Sequence, residues 1–314
     1  MRSLCLVALL PCCAALAVPQ AVLKLRQAHA NAQQRIVSAL DLVPTDRAAR
    51  VLEDVDAATL PAVSNFEPKV DATDPVVSSV ATCATRDAEA EARFELVAWN
   101  GPLTTVPHLQ AKLSVFEGQI SICLDFVPRL DGGYFDMADG EGYRDPASRA
   151  EFAQAATRSD YDARYFTADA RAARFEALRG AVSTKPVPQH RVASRIGAGA
   201  KGAAAGSMVA GPLFLDATFA LDDTQKAVEA FDAAVDRWLG WLASATTKTS
   251  DAASWMTSRL VYDRDCLVRA DAFGRSVEDY RQLYGEDAGW ALAAAVGGRS
   301  QMVGHNSLGL GRDD

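Results

Sequence analysis

The chain has 314 residues, 49% of them hydrophobic and 23% charged, with a formal net charge of −8. That length and composition can bury a sizeable core, in one large domain or two small ones, and they exclude a globally disordered chain. The acidic balance, with no basic stripe interleaved with aromatics, argues against nucleic acid as a partner.

Residues 1–40 differ from the rest. They carry Arg2, Lys24, Arg26 and Arg35 and no carboxylate, the first being Asp41. The apolar run LCLVALLPCCAALA reads as a secretory signal, and the basic, Ala-rich VPQAVLKLRQAHANAQQR as a transit stretch. Together they predict a bipartite leader bound for a chloroplast through the secretory pathway. A plain secreted protein is the alternative. The run is short and interrupted by Pro11, so no membrane span is expected. Without residues 1–40, 28 of the 32 basic residues stand against 40 acidic ones, a balance of about −12. His29 is expected to leave with the leader. Of the six cysteines, Cys83, Cys123 and Cys266 would remain, too few and too scattered for a disulfide framework or a zinc site. That favours a reducing compartment.

Residues 41–90 mix acids, Pro and Ala. They predict a linker region with a short helix around Arg47–Val55 and an exposed stretch through EPKVDATDP. Strands follow at Arg93–Trp99, His108–Phe116 and Gly118–Val127, each with period-2 alternation. Glu117-Gly118 predicts a two-residue hairpin turn. Its register sets Lys112 opposite Cys123, Gln110 opposite Asp125 and Ser114 opposite Ser121. One face of the hairpin is then apolar (Leu109, Ala111, Leu113, Val115, Ile120, Ile122, Leu124, Phe126). The other is polar with short side chains, as a covered ligand pocket requires. Lys112 and Asp125 are diagonal neighbours, ~7–8 Å apart along the backbone. They form either a solvated cross-strand ion pair or a charged pair inside the pocket.

After Pro128 comes the turn-rich RLDGGYFDMADGEGYRDP, then helices from Pro146 to about Arg158 and over Tyr161–Gly180. A strand is expected within Ser207–Leu221. Asp222 caps a helix to about Ala245 that buries Val228, Phe231, Val235, Trp238 and Leu242. Helices around Ala253–Asp263 and Ser276–Val296 precede a Gly-rich tail, 299–314. Antiparallel strands followed by helices predict an α+β fold with helices on both faces of the sheet.

Two segments carry a family resemblance. LQAKLSVFEGQISICLDFVP is similar to the central hairpin of the ferredoxin-dependent bilin reductases, in which an acid commonly stands where this chain has Lys112. RSVEDYRQLYGEDAGWALAAAVGG (Arg275–Gly298) resembles the last segment of the red chlorophyll catabolite reductases. The resemblance spans roughly residues 90–298 and defines a bilin-reductase-like domain over 91–298. It implies a three-layer α/β/α sandwich around a central antiparallel sheet, with an open-chain tetrapyrrole between the sheet and the C-terminal helices. It implies reduction of red chlorophyll catabolite to the primary fluorescent catabolite, with electrons from ferredoxin and neither a bound cofactor nor a metal. A related reductase of biliverdin-type substrates and a non-catalytic tetrapyrrole carrier are the alternatives.

Asp279 falls on a family acid and is the expected proton donor, although Ser276-Val277-Glu278-Asp279 also fits a capping box. Asp125 is the substitute acid beside Lys112. Lys112, Gln110, Ser114, Cys123 and His108 line the expected site, with Arg191 and Arg195 as clamps for the pigment's propionates. Arg164, Arg171 and Arg174 share a helical face and form the expected docking patch for acidic ferredoxin. Gly197-Ala198-Gly199-Ala200-Lys201-Gly202 matches G-x-G-x-x-G but lacks the strand and helix a nucleotide site needs, and is expected to be a loop.

Overall fold

The computed structural model describes residues 10–55, 60–69, 77–86, 91–101, 104, 106–127, 163–184, 212–244, 273, 274 and 276–297. Their elements, in chain order, begin with α1 (Leu10–Ala39), β1 (Leu42–Thr45), α2 (Arg47–Val51), β2 (Ala62–Pro68) and β3 (Val77–Ala84). The strands β4 (Ala92–Asn100), β5 (His108–Phe116) and β6 (Gln119–Val127) come next. Then follow α3 (Ala168–Ala177), β7 (Ser183–Thr184), β8 (Leu215–Ala220) and α4 (Thr224–Ser244). Two helices end the described chain, α5 (276–284) and α6 (Glu286–Gly297).

The eight strands form one antiparallel sheet in the order β1-β2-β3-β4-β5-β6-β8-β7. The β5–β6 register is the expected one, with Lys112 opposite Cys123 and Gln110 opposite Asp125. Glu117 and Gly118 both take positive φ (48° and 73°), as a turn matching the right-handed strand twist requires. Strand alternation then sorts side chains by layer. Phe94, Leu96, Ala98, Leu109, Leu113, Ile122 and Phe219 enter a core under α1 and α4. On the opposite face Ala81, Cys83, Val97 and Trp99 pack under α5 and α6 with Tyr280, Leu292 and Val296. Helices therefore cover both faces, giving the expected α/β/α sandwich. No helix among the described residues is long and apolar enough to cross a membrane.

Two expected boundaries move. Residues 41–90 are not a linker: β1, β2 and β3 lie within them and pair in sequence up to β4. Their strands are short and broken by acids and prolines, so the period-2 signal is weak. The segment expected to be a leader also packs into the fold. In α1, Ala21, Val22, Leu25, Ala28, Ala32 and Ile36 recur at helical spacing and are buried against the sheet and α4. Two of the three basic residues of this helix find partners in the fold. Arg35 bridges Asp232 at 2.5 Å and Asp236 at 2.7 Å, and Arg26 donates to the Arg86 carbonyl at 2.8 Å.

The helix expected over Ser276–Val296 is two helices. Gly285, at φ +87°, breaks it, and the chain turns so that Gly289 meets the backbone of α5. A Cβ on Gly289 would lie 2.6 Å from the Tyr280 carbonyl carbon and from Arg281 Cα, so only glycine permits the crossing. This contact fixes α5, with Asp279 and Tyr280, over the sheet. The strand expected within Ser207–Leu221 is β8. The helices expected at 146–158 and 253–263, the tail 299–314, the Gly-rich 197–202 and the turn-rich loop after Pro128 lie outside the described residues.

Candidate functional site

Pairing across the sheet aligns Cys83, Glu95, Lys112, Cys123 and Asp216 in one row on the polar face, one residue from each of five adjacent strands. Lys112 therefore does not stand alone on its strand. Its direct neighbour on β4 is Glu95, 1% exposed, and Lys112 Nζ lies 3.3 Å from Glu95 Oε1. The other Glu95 oxygen accepts a hydrogen bond from the buried Tyr280 hydroxyl at 2.7 Å. Arg93, two residues along β4, approaches Glu95 Oε1 at 3.9 Å. Asp279, one residue before Tyr280 on α5, reaches Lys112 Nζ at 3.7 Å and is half exposed. α5 thus lays two consecutive side chains across the Glu95–Lys112 pair, one buried and one opening to solvent.

The electrostatics follow from this layout. Burial pushes the Glu95 carboxyl up, but the Lys112 ammonium, the Tyr280 hydroxyl and Arg93 outweigh it and hold the group below its ordinary range. Burial works against the Lys112 charge, yet Glu95 and Asp279 raise its pKa above the ordinary value. The resting site is therefore an ion pair, Glu95 anionic and Lys112 cationic. Tyr280 and Cys83 are pushed up, first by burial and then by the Glu95 charge, so both stay protonated. From the apolar layer, His29 Nε2 meets the Glu95 carbonyl oxygen at 2.8 Å. Burial lowers the pKa of His29, so its neutral ring donates through Nε2.

The structure brings together Lys112 and Asp279 and sets Gln110, Ser114 and Cys123 beside them on the same face, all half-buried. Asp125 is buried on this face opposite Gln110. The ion pairs of Lys112 run to Glu95 and Asp279, which corrects the expected diagonal pair with Asp125. Asp279 reaches across to Lys112, a contact the capping-box reading does not supply. His108 is fully buried, and its Nδ1 accepts the Asn100 backbone N–H at 2.9 Å while its ring edge meets Trp99. That nitrogen is committed to the fold. Arg191 and Arg195 lie outside the described residues. Of the expected docking patch, Arg164 and Arg171 are exposed. Arg174 turns inward instead and donates through Nε to the Phe214 carbonyl, because the last turn of α3 packs on the approach to β8.

Glu95, Tyr280, Arg93 and His29 were not among the expected site residues. Glu95 had a legible signal, an acid at an inward position of the apolar strand RFELVAW, the same anomaly that singles out Lys112. Tyr280 had none, since an aromatic in an amphipathic helix is ordinary core. His29 was hidden by the leader reading.

α5 and α6 fill the polar face over β2, β3 and β4 and reach the hairpin at Lys112. Beyond Lys112 the face continues over β5 and β6 with the half-buried Gln110, Ser114, Ser121 and Cys123. The Glu95–Lys112 pair stands at this border, where a ligand on the hairpin face would meet a charge-bearing wall.

No protein-family model matches the chain, and no curated protein matches it. Among solved structures, tomato phytochromobilin synthase in complex with biliverdin has the same fold, with a TM-score of 0.56 over 92% of this chain and 85% of that one at 14% identity.

Proposed function

We propose that this protein is a ferredoxin-dependent reductase of a linear tetrapyrrole, with the pigment held against the polar face of β5 and β6 beside the Glu95–Lys112 pair. The observation that carries this reading is the buried Glu95 carboxylate paired with the third-exposed Lys112 ammonium, at the point on the polar sheet face where the cover of α5 and α6 ends among the described residues. The shared fold with a biliverdin complex and the sequence resemblance support it.

Reduction of one double bond takes two electrons and two protons. Reduced ferredoxin supplies the electrons singly, and the protein's side chains supply the protons. Lys112, a third exposed, can turn from Glu95 to a propionate or lactam oxygen of the pigment. Glu95, left buried without its cation, then rises in pKa, takes up a proton from solvent by way of Asp279, and becomes an acid able to protonate the reduced pigment. Asp279, open to solvent beside Lys112, is the second donor and returns protons from water. Gln110, Ser114 and Cys123 give the pigment a short polar floor. Asp125, buried on the same face, is a further acid of that floor.

Red chlorophyll catabolite is the substrate favoured by the likeness of Arg275–Gly298 to the red chlorophyll catabolite reductases. A biliverdin-type substrate is favoured by the ligand of the tomato enzyme. Ferredoxin would dock at Arg164 and Arg171, beside the 66%-exposed ring of Phe175. The acid-free N-terminus supports chloroplast import, and any leader removed there would lie before Ala21, where the packed part of α1 begins.

Anaerobic incubation with ferredoxin, a reducing system and each pigment tests the reading. A colourless fluorescent product from red chlorophyll catabolite supports that substrate, and turnover of biliverdin alone supports the second. Glu95→Gln and Asp279→Asn are expected to lower turnover by about 10²-fold or more, the usual scale for a lost proton donor. Binding of either pigment without turnover would leave a carrier, and no binding would refute the reading.

A further inference from the structure

On the opposite, apolar face of the sheet, α3 and α4 do not close against each other. Ala173 and Ala177 of α3 face Ala230 and Ala233 of α4, and their small side chains leave two adjoining cavities that share all four. The inner one, about 60 Å³, ends on Leu124 and Leu215 of the sheet and carries two guanidiniums, Arg174 and Arg237. The outer one, about 430 Å³, opens to solvent.

The charges of the two cavities differ in kind. In the outer one, Arg179 pairs with Glu176 at 3.2 Å and Lys226 with Asp223 at 2.7 Å. At the inner end neither arginine has a carboxylate among the described residues. Arg174 donates through Nε to the Phe214 carbonyl and sets its guanidinium over the Phe175 ring, 5.7 Å from the centroid, which leaves its terminal nitrogens without a carboxylate among the described residues. Arg237 has no hydrogen-bond or ion-pair partner among them, although α4 carries Asp232 and Asp236 close by in sequence. Both of those acids are drawn away to Arg35 of α1. Burial lowers the pKa of each of the two guanidiniums, as expected for cations partly withdrawn from water with no anion beside them among the described residues. Two half-buried forks facing one alanine-floored slot lack a planar anion attached to an apolar group.

We propose that the α3–α4 groove binds a medium-chain carboxylate, its head between Arg174 and Arg237 and its chain along the alanine floor toward the outer cavity. The site lies on the sheet face opposite the Glu95–Lys112 cluster and does not depend on the tetrapyrrole reading.

Isothermal titration of the full chain with octanoate tests it. Saturable binding is expected, unchanged by biliverdin and not reproduced by 1-octanol, which has the same chain without the charge. Arg237→Gln is expected to weaken octanoate by about tenfold or more, the effect of one lost charge-assisted hydrogen bond. Ala233→Leu, which fills the floor from an exposed helix position and leaves both arginines in place, is expected to weaken it comparably, with the circular dichroism of both variants unchanged. The proposal is overturned if octanoate does not saturate, if octanol binds equally well, if biliverdin displaces octanoate, or if both folded variants bind as the wild type does.

Discussion

Replacing Lys112 by methionine removes one charge of the buried pair while keeping most of the side chain's length. Breaking a buried pair from one side costs about 3–5 kcal/mol when the remaining charge stays in place. Glu95 has an escape, because it can take up a proton. Arg93, 3.9 Å away and itself a third exposed, is a weak substitute for the ammonium at 3.3 Å. In the variant, burial becomes the dominant influence on Glu95, and its folded pKa rises above the unfolded value of about 4.3. The sign of the pH dependence then inverts. In the wild type, Glu95 is depressed, so its contribution is complete above the unfolded pKa and is lost as pH falls through the folded one. Lys112 is raised, and its contribution is lost only as pH climbs beyond its ordinary range. Stability is therefore flat with respect to this pair near neutrality. In Lys112→Met the folded state holds a proton that the unfolded state has released. Stability falls as pH rises, at up to about 1.4 kcal/mol per pH unit until Glu95 ionises in the fold. Urea unfolding from about pH 5 upward, compared with the wild type at each pH so that the His29 contribution cancels, measures this slope, and the infrared carboxyl band reports the proton directly. The double variant Glu95→Gln/Lys112→Met should show neither slope nor band. A Lys112→Met protein with wild-type pH dependence and an ionised Glu95 would refute the electrostatic account, and with it the proposed conversion of Glu95 into an acid when a ligand recruits Lys112.

Deleting residues 1–40 should unfold the domain. Val22, Leu25 and Ile36 alone contribute about 1.5–3 kcal/mol each, which together approaches the whole stability of an ordinary domain. The melting curve of the truncated chain checks this. Gly289→Ala should force α5 away from α6 at a cost of about 1–3 kcal/mol and lower turnover by displacing Asp279 and Tyr280, read as a shifted Tm together with a reduced kcat. The buried neutral His29 predicts acid sensitivity. Its folded pKa lies below the unfolded value of about 6.5, so stability declines as pH drops below that point, and His29→Gln should flatten the decline in denaturant titrations.

The central hairpin was legible because three independent signals coincide there: strict alternation, a turn dipeptide tolerant of positive φ, and a polar face of short side chains. Each fixes the register, and a slip of one residue would have exposed Ile120, Ile122 and Leu124 together. The helix α4 was legible from its apolar face in the same way. β1–β3 were not, because the edge strand β1 contributes only LVPT, and β2 carries a glutamate and ends on a proline where only β1 pairs with it. The N-terminal helix is hidden in the sequence for a different reason. Basic, Ala-rich and acid-free composition describes a transit peptide, and it equally describes a helix whose cations answer acids elsewhere in the chain. Composition alone cannot see that Arg35 meets Asp232 some two hundred residues later.

The same limit explains the incomplete site. Lys112 stands out as a charge inside an apolar strand, and the register legible in the sequence offers it partners on the hairpin alone. The true partner comes from β4 on the other side, a pairing that only the strand order supplies. A buried lysine is tolerable only beside an anion, and a buried glutamate only beside a cation, so each of these two residues implies the other by its charge alone. Applied to this chain, that rule selects Glu95, the acid at an inward position of the preceding strand. It also gives the site its defining property. Tyr280 and Arg93 also hold Glu95, and Asp279 also holds Lys112, but each of the pair has the other as its nearest opposite charge, so a ligand that claims one of them shifts the pKa of its partner.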